Sequence, residues 1–310
     1  MDNYEGFRLS FRLRSLLGTP WQADTLTGSL AWLVAFREGE KGIGDFLALF
    51  IAGKPPFVLS DGFPEGLLPR PLKEKEASLA NDLAAYAREK KLRKSEYLRV
   101  AQFEALRCGK PISIDPVPSP WENVETLHAA ISRTTGTTSG EAGTLFATES
   151  LGVRSEGEGR YAPNFDIYAI CLQGWSGKLE SLFRDLARVG FGRDKSVGLG
   201  QFDFAGMGHW EGFNHFDGAN GFINLSTFVP AADDPTDGKW ALSIKYGKLG
   251  ENAGGGNPFK TPLLQIKPGG VFKTGAKPKP FYGRVVQGLA PGFPSALQIC
   301  YGLAVPCKLN

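Results

Sequence analysis

The run Gly190-Phe191-Gly192-Arg193-Asp194-Lys195-Ser196-Val197-Gly198-Leu199-Gly200-Gln201-Phe202 concentrates the residue types that could do chemistry in this chain. Four glycines at these intervals let a backbone approach another chain closely, and Arg193 and Lys195 supply charge for phosphates. The segment therefore reads as a backbone-lined anion groove. Two nucleotide sites fail on spacing and context. A P-loop needs Gly directly before Lys-Ser, whereas Asp194 precedes Lys195 here. A dinucleotide fingerprint needs a strand before it and a helix after it, the reverse of the order in this chain. The plain alternative is a loop whose glycines serve only its turns.

Other reactive side chains are poorly placed for catalysis. His128 sits on an apolar-flanked segment, and His209 and His215 lie in an acidic stretch near Trp210 and Asp217. Cleavage of a phosphodiester needs a base and a charge-stabilising partner at the phosphate, which an acidic surround repels. No catalytic residue is assigned, and the chain is expected not to be an enzyme. Asp233, Asp234 and Asp237 fall in a turn with Pro and Gly, which reads as solvated and not as a cation site. Cys108, Cys171, Cys300 and Cys307 form no C-x-x-C pair, so no metal site and no cofactor are expected.

The elements that position these residues follow from periodicity. Phe7, Leu9, Phe11 and Leu13 alternate with Arg8, Ser10, Arg12 and Arg14, a half-buried strand with a basic open face. After Pro20, Asp24 is expected to cap a helix carrying Leu26, Leu30, Leu33 and Val34, which leaves the Gln22 side chain free of that role. The Pro- and Gly-rich segment from Phe57 to Leu72 excludes a helix, and a helical stripe resumes at Leu79, Leu83, Tyr86 and Ala87, running past Lys90 to Lys94 towards Leu106. Asn123 to Arg133 reads as a short strand or helix, and the polar, Gly-rich stretch to Pro163 as a projecting hairpin. Asp166 to Leu172 is a buried strand. Leu179, Leu182, Phe183, Leu186 and Val189 mark an amphipathic helix stopped at Gly190, and Leu199 to Phe204 a further strand. Beyond Gly221, Trp240, Leu242, Ile244 and Tyr246 alternate with small or polar residues, and almost no helical stripe appears.

This order predicts an α+β chain of tandem ferredoxin-like (RRM-like) domains. Residues 1–205 form the first, with insertions at about 40–120 and a thumb hairpin at about 134–165; residues 206–310 form a second, degenerate and strand-rich. At 310 residues, 42% hydrophobic and 22% charged, the chain has ample material for two cores. The first residues carry Asp2 and Glu5 where a signal peptide is basic, and Ala31 to Phe36 is too short to span a bilayer, so no membrane partner and a cytoplasmic location are expected.

A net charge of +3 hides segregation. Arg70 to Arg99 holds nine cations and five anions, Phe204 to Gly238 five carboxylates and no Lys or Arg, and Lys239 to Arg284 nine cations against Glu251 alone. The last run predicts a surface suited to phosphates or to an acidic protein.

The glycine-rich run between second helix and final strand resembles that of the RAMP superfamily of CRISPR-associated proteins. Further stretches resemble the fourth-subunit, Csm-type (Cas-five) group of the type III-A effector complex: Thr19 to Gly28, Phe57 to Pro64, Leu67 to Pro71, Ile131 to Thr138, and more weakly Pro268 to Phe272. The resemblance implies a non-catalytic subunit that grips the 5′ handle of CRISPR RNA. Its implied partners are the large Cas ten-type subunit, an adjacent backbone RAMP subunit, and target RNA near the thumb. It implies RNA contacts at Gln22, at Arg133, Thr134, Thr135 and Thr137, at Gly190, Phe191, Gly192, Arg193, Lys195, Ser196, Gly198 and Gly200, and at Gly269 and Gly270. The charge run adds Lys260 and Lys273 for RNA, and Lys277 and Lys279 for the large subunit. Before Arg133 the group is expected to carry Asn, where this chain has Ser132. The competing readings are a metal-independent endoribonuclease acting on repeat RNA and a stand-alone RNA-binding module.

Overall fold

The computed structural model describes residues 4–72, 86–87, 90, 94–110, 115, 117–134, 136–138, 145–154, 163–250 and 257–309. The chain runs β1 (Tyr4–Leu13), α1 (Ala23–Ile51), β2 (Phe57–Leu59), β3 (Phe63–Pro64), β4 (Leu67–Pro69), β5 (Tyr97–Arg99), α2 (Val100–Arg107), β6 (Trp121–Ala129), β7 (Leu145–Val153), β8 (Asn164–Leu172), α3 (Ser176–Val189) and β9 (Phe202–His209). It continues through β10 (Gly221–Asn224), β11 (Gly238–Lys239), β12 (Leu242–Lys245), β13 (Leu263–Ile266), β14 (Val271–Lys273), β15 (Phe281–Gln287) and β16 (Leu297–Cys307). The class is α+β, with two five-stranded antiparallel sheets.

The first sheet has the order β2-β8-β1-β9, with β3 also on β8. The alternation in β1 does what it predicts: Phe7, Leu9, Phe11 and Leu13 are buried while Arg12 is exposed. Helices α1 and α3 cover the apolar face. Leu179, Leu182, Phe183 and Leu186 of α3 are buried, each contributing roughly 2 kcal/mol by removal from water. Phe11 lies 5.3 Å from Phe183, and Arg37 of α1 pairs with Asp185 of α3 at 2.7 Å. Gly190 ends α3 with φ 75°, as its position predicts.

The second sheet has the order β11-β14-β10-β16-β15. Its longest strand, β16, is buried from Gln298 to Cys307 and joins the main core through Ile299, Tyr301, Leu303 and Val305. Phe222, Phe228, Ile266, Phe272, Tyr282 and Ala304 make a smaller cluster on its other side.

Several boundaries differ from the sequence reading. Asp24 is not the cap of α1: the helix starts at Ala23, Gln22 is the N-cap residue, and Asp61 supplies the missing acceptor by taking the Ala23 N–H at 2.8 Å. α1 is interrupted at Gly39, close to where an insertion is predicted. Leu67–Pro69 pairs with Tyr97–Arg99, so the Pro-bounded run is a strand, and α2 is a separate short helix and not the tail of a long one. Leu79 and Leu83 lie outside the described residues. The hairpin begins earlier than predicted, because β6 already pairs with β7 from Trp121 to Ala129. The final strand of the first sheet starts at Phe202, since Leu199 and Gly200 are still in the turn, and runs past Ala205 to His209. Among the described residues no helix is long and apolar enough to cross a membrane.

Candidate nucleic-acid interface

Three segments meet beyond the end of β1. The chain leaving β1 bonds the glycine-rich segment on one side, with Arg14 N–H donating to Gln201 O (2.8 Å) and Gly200 N–H to Leu16 O (2.8 Å). On the other side Leu17 and Leu151 of β7 exchange two backbone hydrogen bonds, both 2.8 Å. Arg193 closes the triangle: its N–H donates to Thr19 Oγ1 (3.0 Å) and its guanidinium to Glu149 O (2.6 Å), while Nε lies 3.2 Å from Asp194. The glycine-rich segment is thereby clamped to the base of the hairpin, and Arg193 remains half-exposed.

The glycines do different jobs. A Cβ on Gly192 would lie 2.7 Å from Thr19 Cβ, and one on Gly200, with φ 66°, would strike the Phe191 carbonyl. These positions need glycine because the chain itself is close, the Thr19 side chain at Gly192 and the Phe191 backbone at Gly200. Gly198 is the exception: its φ is 100° and nothing lies within 4 Å of its Cβ position. Ser196, Val197 and Gly198 are exposed, Val197 to 79%, and Asp194 holds an unusual φ of 59° at the head of this short turn. The open rim of the segment is thus Arg193 to Gly198, with the ammonium-bearing Lys195 partly exposed.

Several of the residues assigned to RNA are turned inward or already partnered. Phe191 is 1% exposed and packs on Trp21 at 5.1 Å, so its side chain belongs to the core and is not open to a ligand. Lys260 is partly buried and donates to Gln298 Oε1 at 2.6 Å; burial holds its pKa below the usual lysine range. Gln22 is not free either, since its side-chain oxygen accepts from Lys245 at 3.1 Å. Gly269 and Gly270 are buried, with Cβ positions 2.7 Å from Arg70 O and 2.6 Å from Asn224 Oδ1, so their small size serves packing against the chain's own backbone and core. Lys273 is exposed at the end of β14.

Arg133, Thr134 and Thr137 are exposed at the far end of the hairpin, and Thr135 lies outside the described residues. The backbone there is tight, with Ser132 N–H donating to Thr137 O at 3.0 Å. From Glu149, which touches Arg193, the ribbon runs four residues to its last pair, Ala129 and Leu145, or roughly 13 Å. The two groups of candidates are therefore separate contact points on one continuous ribbon.

The histidines occupy ordinary positions. His128 stacks on Phe146 and bonds Thr148 Oγ1 at 2.8 Å, and His209 packs on Phe7. Asp234 accepts the N–H groups of Ala231 and Gly283, so it organises a turn. No group of three metal-ligating side chains occurs among the described residues.

Sequence reasoning missed a buried polar junction beside this interface. Asp24 accepts from Lys245 Nζ (2.6 Å), Gln265 (2.8 Å) and Gln298 (2.8 Å). Burial pushes its carboxyl up, but the Lys245 charge and these hydrogen bonds outweigh that and hold the pKa low. Asp61 accepts from Ala23 N–H and from both the backbone and the hydroxyl of Thr227. Complete burial dominates there and raises its pKa to about 6. The available signal was the glutamine inside each apolar strand run, Leu263-Leu264-Gln265-Ile266 and Leu297-Gln298-Ile299.

No protein-family model matches the sequence, and no curated protein matches it. Solved structures do. One from a crystal structure of a Csm1-Csm4 cassette in complex with cA4 aligns over 98% of both chains, with a TM-score of 0.63 and 18% identity. The same cassette in complex with one ATP gives 0.60 and 17%, over 99% of this chain and 98% of that one. A chain of a Csm3-Csm4 subcomplex of the type III-A CRISPR-Cas interference complex gives 0.60 and 11%, over 98% of this chain and all of that one. These likenesses show the fold: over nearly its whole length the chain is folded like a chain of the Csm1-Csm4 and Csm3-Csm4 assemblies.

Proposed function

We propose that this chain is a non-catalytic subunit of a type III-A CRISPR (Csm) effector complex that binds the 5′ handle of CRISPR RNA and anchors the large Cas ten-type subunit, in antiviral defence. The observation that carries this reading is the full-length likeness to Csm4 chains crystallised with Csm1 and with Csm3. The first sheet supports it too: the order β2-β8-β1-β9 with two helices on one face is the ferredoxin-like arrangement. We take the two ferredoxin-like units to meet just after β9, at His209 and not at Ala205, and the β6–β7 hairpin to be the thumb.

Handle phosphates are held by Arg193 and Lys195, with Ser196 and the open backbone at Gly198 allowing close approach. Arg133, Thr134 and Thr137 meet guide or target RNA at the thumb. Lys273 adds a phosphate contact from the second unit, and Lys277 and Lys279, both exposed, face the large subunit. An adjacent backbone RAMP subunit completes the set of partners.

The test is co-expression of the tagged chain with its effector subunits and a repeat-spacer transcript, followed by sequencing of bound RNA. Enrichment of repeat-derived 5′ ends is expected. Replacing Arg193 and Lys195 by Ala should reduce handle binding about tenfold and flatten the slope of its salt dependence by roughly 0.7 for each phosphate no longer neutralised. RNA bound without a shared 5′ end would refute handle recognition.

A further inference from the structure

We infer that the outward face of the β12–β13 ribbon is a docking surface for a protein partner with an apolar ridge edged by carboxylates. Being a subunit of the proposed assembly, that partner ties the inference to the reading above.

The ribbon has its polarity reversed. Leu242 (45% exposed), Ile244 (57%) and Tyr246 (74%) point outward from one strand, and Leu264 (53%), paired opposite Ile244, from the other. The polar residues between them point inward: Lys245 to Asp24, and Gln265, opposite Ser243, to the same carboxylate. An antiparallel pair with one apolar side ordinarily turns that side to its own core. Here the inner side is committed to the Asp24 junction; on the apolar side Ile266, opposite Leu242, is covered by the Phe228 cluster, and Leu242, Ile244 and Leu264 are left for something else to cover. The strip does not stop at the ribbon. Gly250 lies against the Trp32 indole, so closely that a Cβ would approach its Nε1 to 2.7 Å, and Phe36 (65% exposed) follows one turn along α1.

Charge selects the occupant. Lys239 to Arg284 holds nine cations and one anion, and after Lys245 and Lys260 turn inward the remaining cations are exposed, Lys248 and Lys267 at the flanks of the ribbon. A second copy of this chain would set lysine against lysine. Single-stranded RNA would want rings to stack on, but the middle of the strip is aliphatic. An apolar ridge bordered by Asp and Glu satisfies both parts, burying the strip at its centre and pairing the lysines at its rim.

The decisive experiment places a photo-crosslinking phenylalanine derivative at Tyr246 in the full chain, co-expressed with its effector subunits and guide precursor. The expected product is an adduct to one effector protein, mapped to an apolar segment flanked by carboxylates. Ile244→Asp with Leu264→Asp should reduce recovery of that protein at least about tenfold while guide RNA stays bound, and Lys248→Glu with Lys267→Glu should weaken the same contact. If the double aspartate variant fails to melt cooperatively, Tyr246→Glu replaces it. An adduct to RNA, an adduct to a second copy, or no adduct in complexes that carry guide RNA overturns the inference. Absence of guide RNA from every preparation counts against the proposed function instead, and the crosslinked partner still decides the ribbon.

Discussion

Strands β1 and β12 carry the same signal, an apolar residue at every second position, and fold with opposite faces inward. In β1 the phenylalanines and leucines fill the core and the basic residues look out. In β12 Leu242 and Ile244 look out while Lys245 is drawn in. The difference teaches that period two fixes a strand but not which side is buried. That choice goes to whichever side finds the better partners. A buried carboxylate ringed by hydrogen-bond donors makes an inward-facing lysine favourable, because its desolvation is offset by a matched set of acceptors and charge.

Four experiments bear on this contrast. Removing the inward lysine should have the largest effect. Lys245→Met leaves the Asp24 carboxylate buried without its counter-charge and should lower stability by about 3 kcal/mol. A urea midpoint unchanged from the parent chain would show that the reversed polarity of β12 does not depend on this pair. Next, two isoleucines on the apolar face of the ribbon should separate by what covers them, Ile266 lying in the Phe228 cluster and Ile244 being open. Ile266→Ala, at 5% exposure, should lose about 2.5 kcal/mol, whereas Ile244→Ala should stay within about 0.5 kcal/mol in the isolated chain. Equal losses at both sites would mean that Ile244 is already covered in the isolated chain.

The glycine-rich segment offers a smaller contrast of the same kind. Gly200→Ala meets the Phe191 carbonyl and should destabilise by about 2 kcal/mol, while Gly198→Ala carries only the strain of its φ, about 1 kcal/mol. Handle binding should report the opposite order for folded protein, with Gly198→Trp losing affinity although no donor is removed. Thermal melts and filter binding on the same samples would expose a reversed ranking.

The smallest effect is a slope. Asp61 has a folded pKa of about 6, above the ordinary carboxylate value, so the folded state holds its proton where the unfolded chain has released it. That contribution to stability is complete below about pH 4 and declines as pH rises towards 6. Asp61→Asn keeps an oxygen for Ala23 and Thr227 and removes the titration, so between about pH 4 and 6 the variant should lose less stability than the parent. Parallel curves for the two proteins would place the proton elsewhere.

The parts of the fold legible in the sequence are those whose stability is local or set by simple burial. α3 was readable because its apolar stripe, its length and Gly190 all agree. β1 and β8 were readable because a run of alternating or continuous apolar residues has one good solution in a covered sheet. The candidate site was legible as a segment but not residue by residue. Phe191 follows a glycine in a loop-like run, yet the turn at Gly190 swings it under Trp21, and this swing depends on a partner far away in the sequence. Asp24 looked like a cap because Asp usually is one. Its true acceptor role depends on Lys245, Gln265 and Gln298, which no local rule connects to it.

That junction also orders events during synthesis. The helix whose N-terminus it completes leaves the ribosome early, but Thr227, Lys245, Gln265 and Gln298 leave only in the last third of translation. Until then Asp24 and Asp61 remain hydrated, and α1 lacks the partners that seat its first turn. A nascent chain stalled before Gln298 should therefore expose the Ala23 region to protease although both helices of the first sheet are already made. Release of the final strand, β16, is the step that brings in the last partner of the junction and completes the fold.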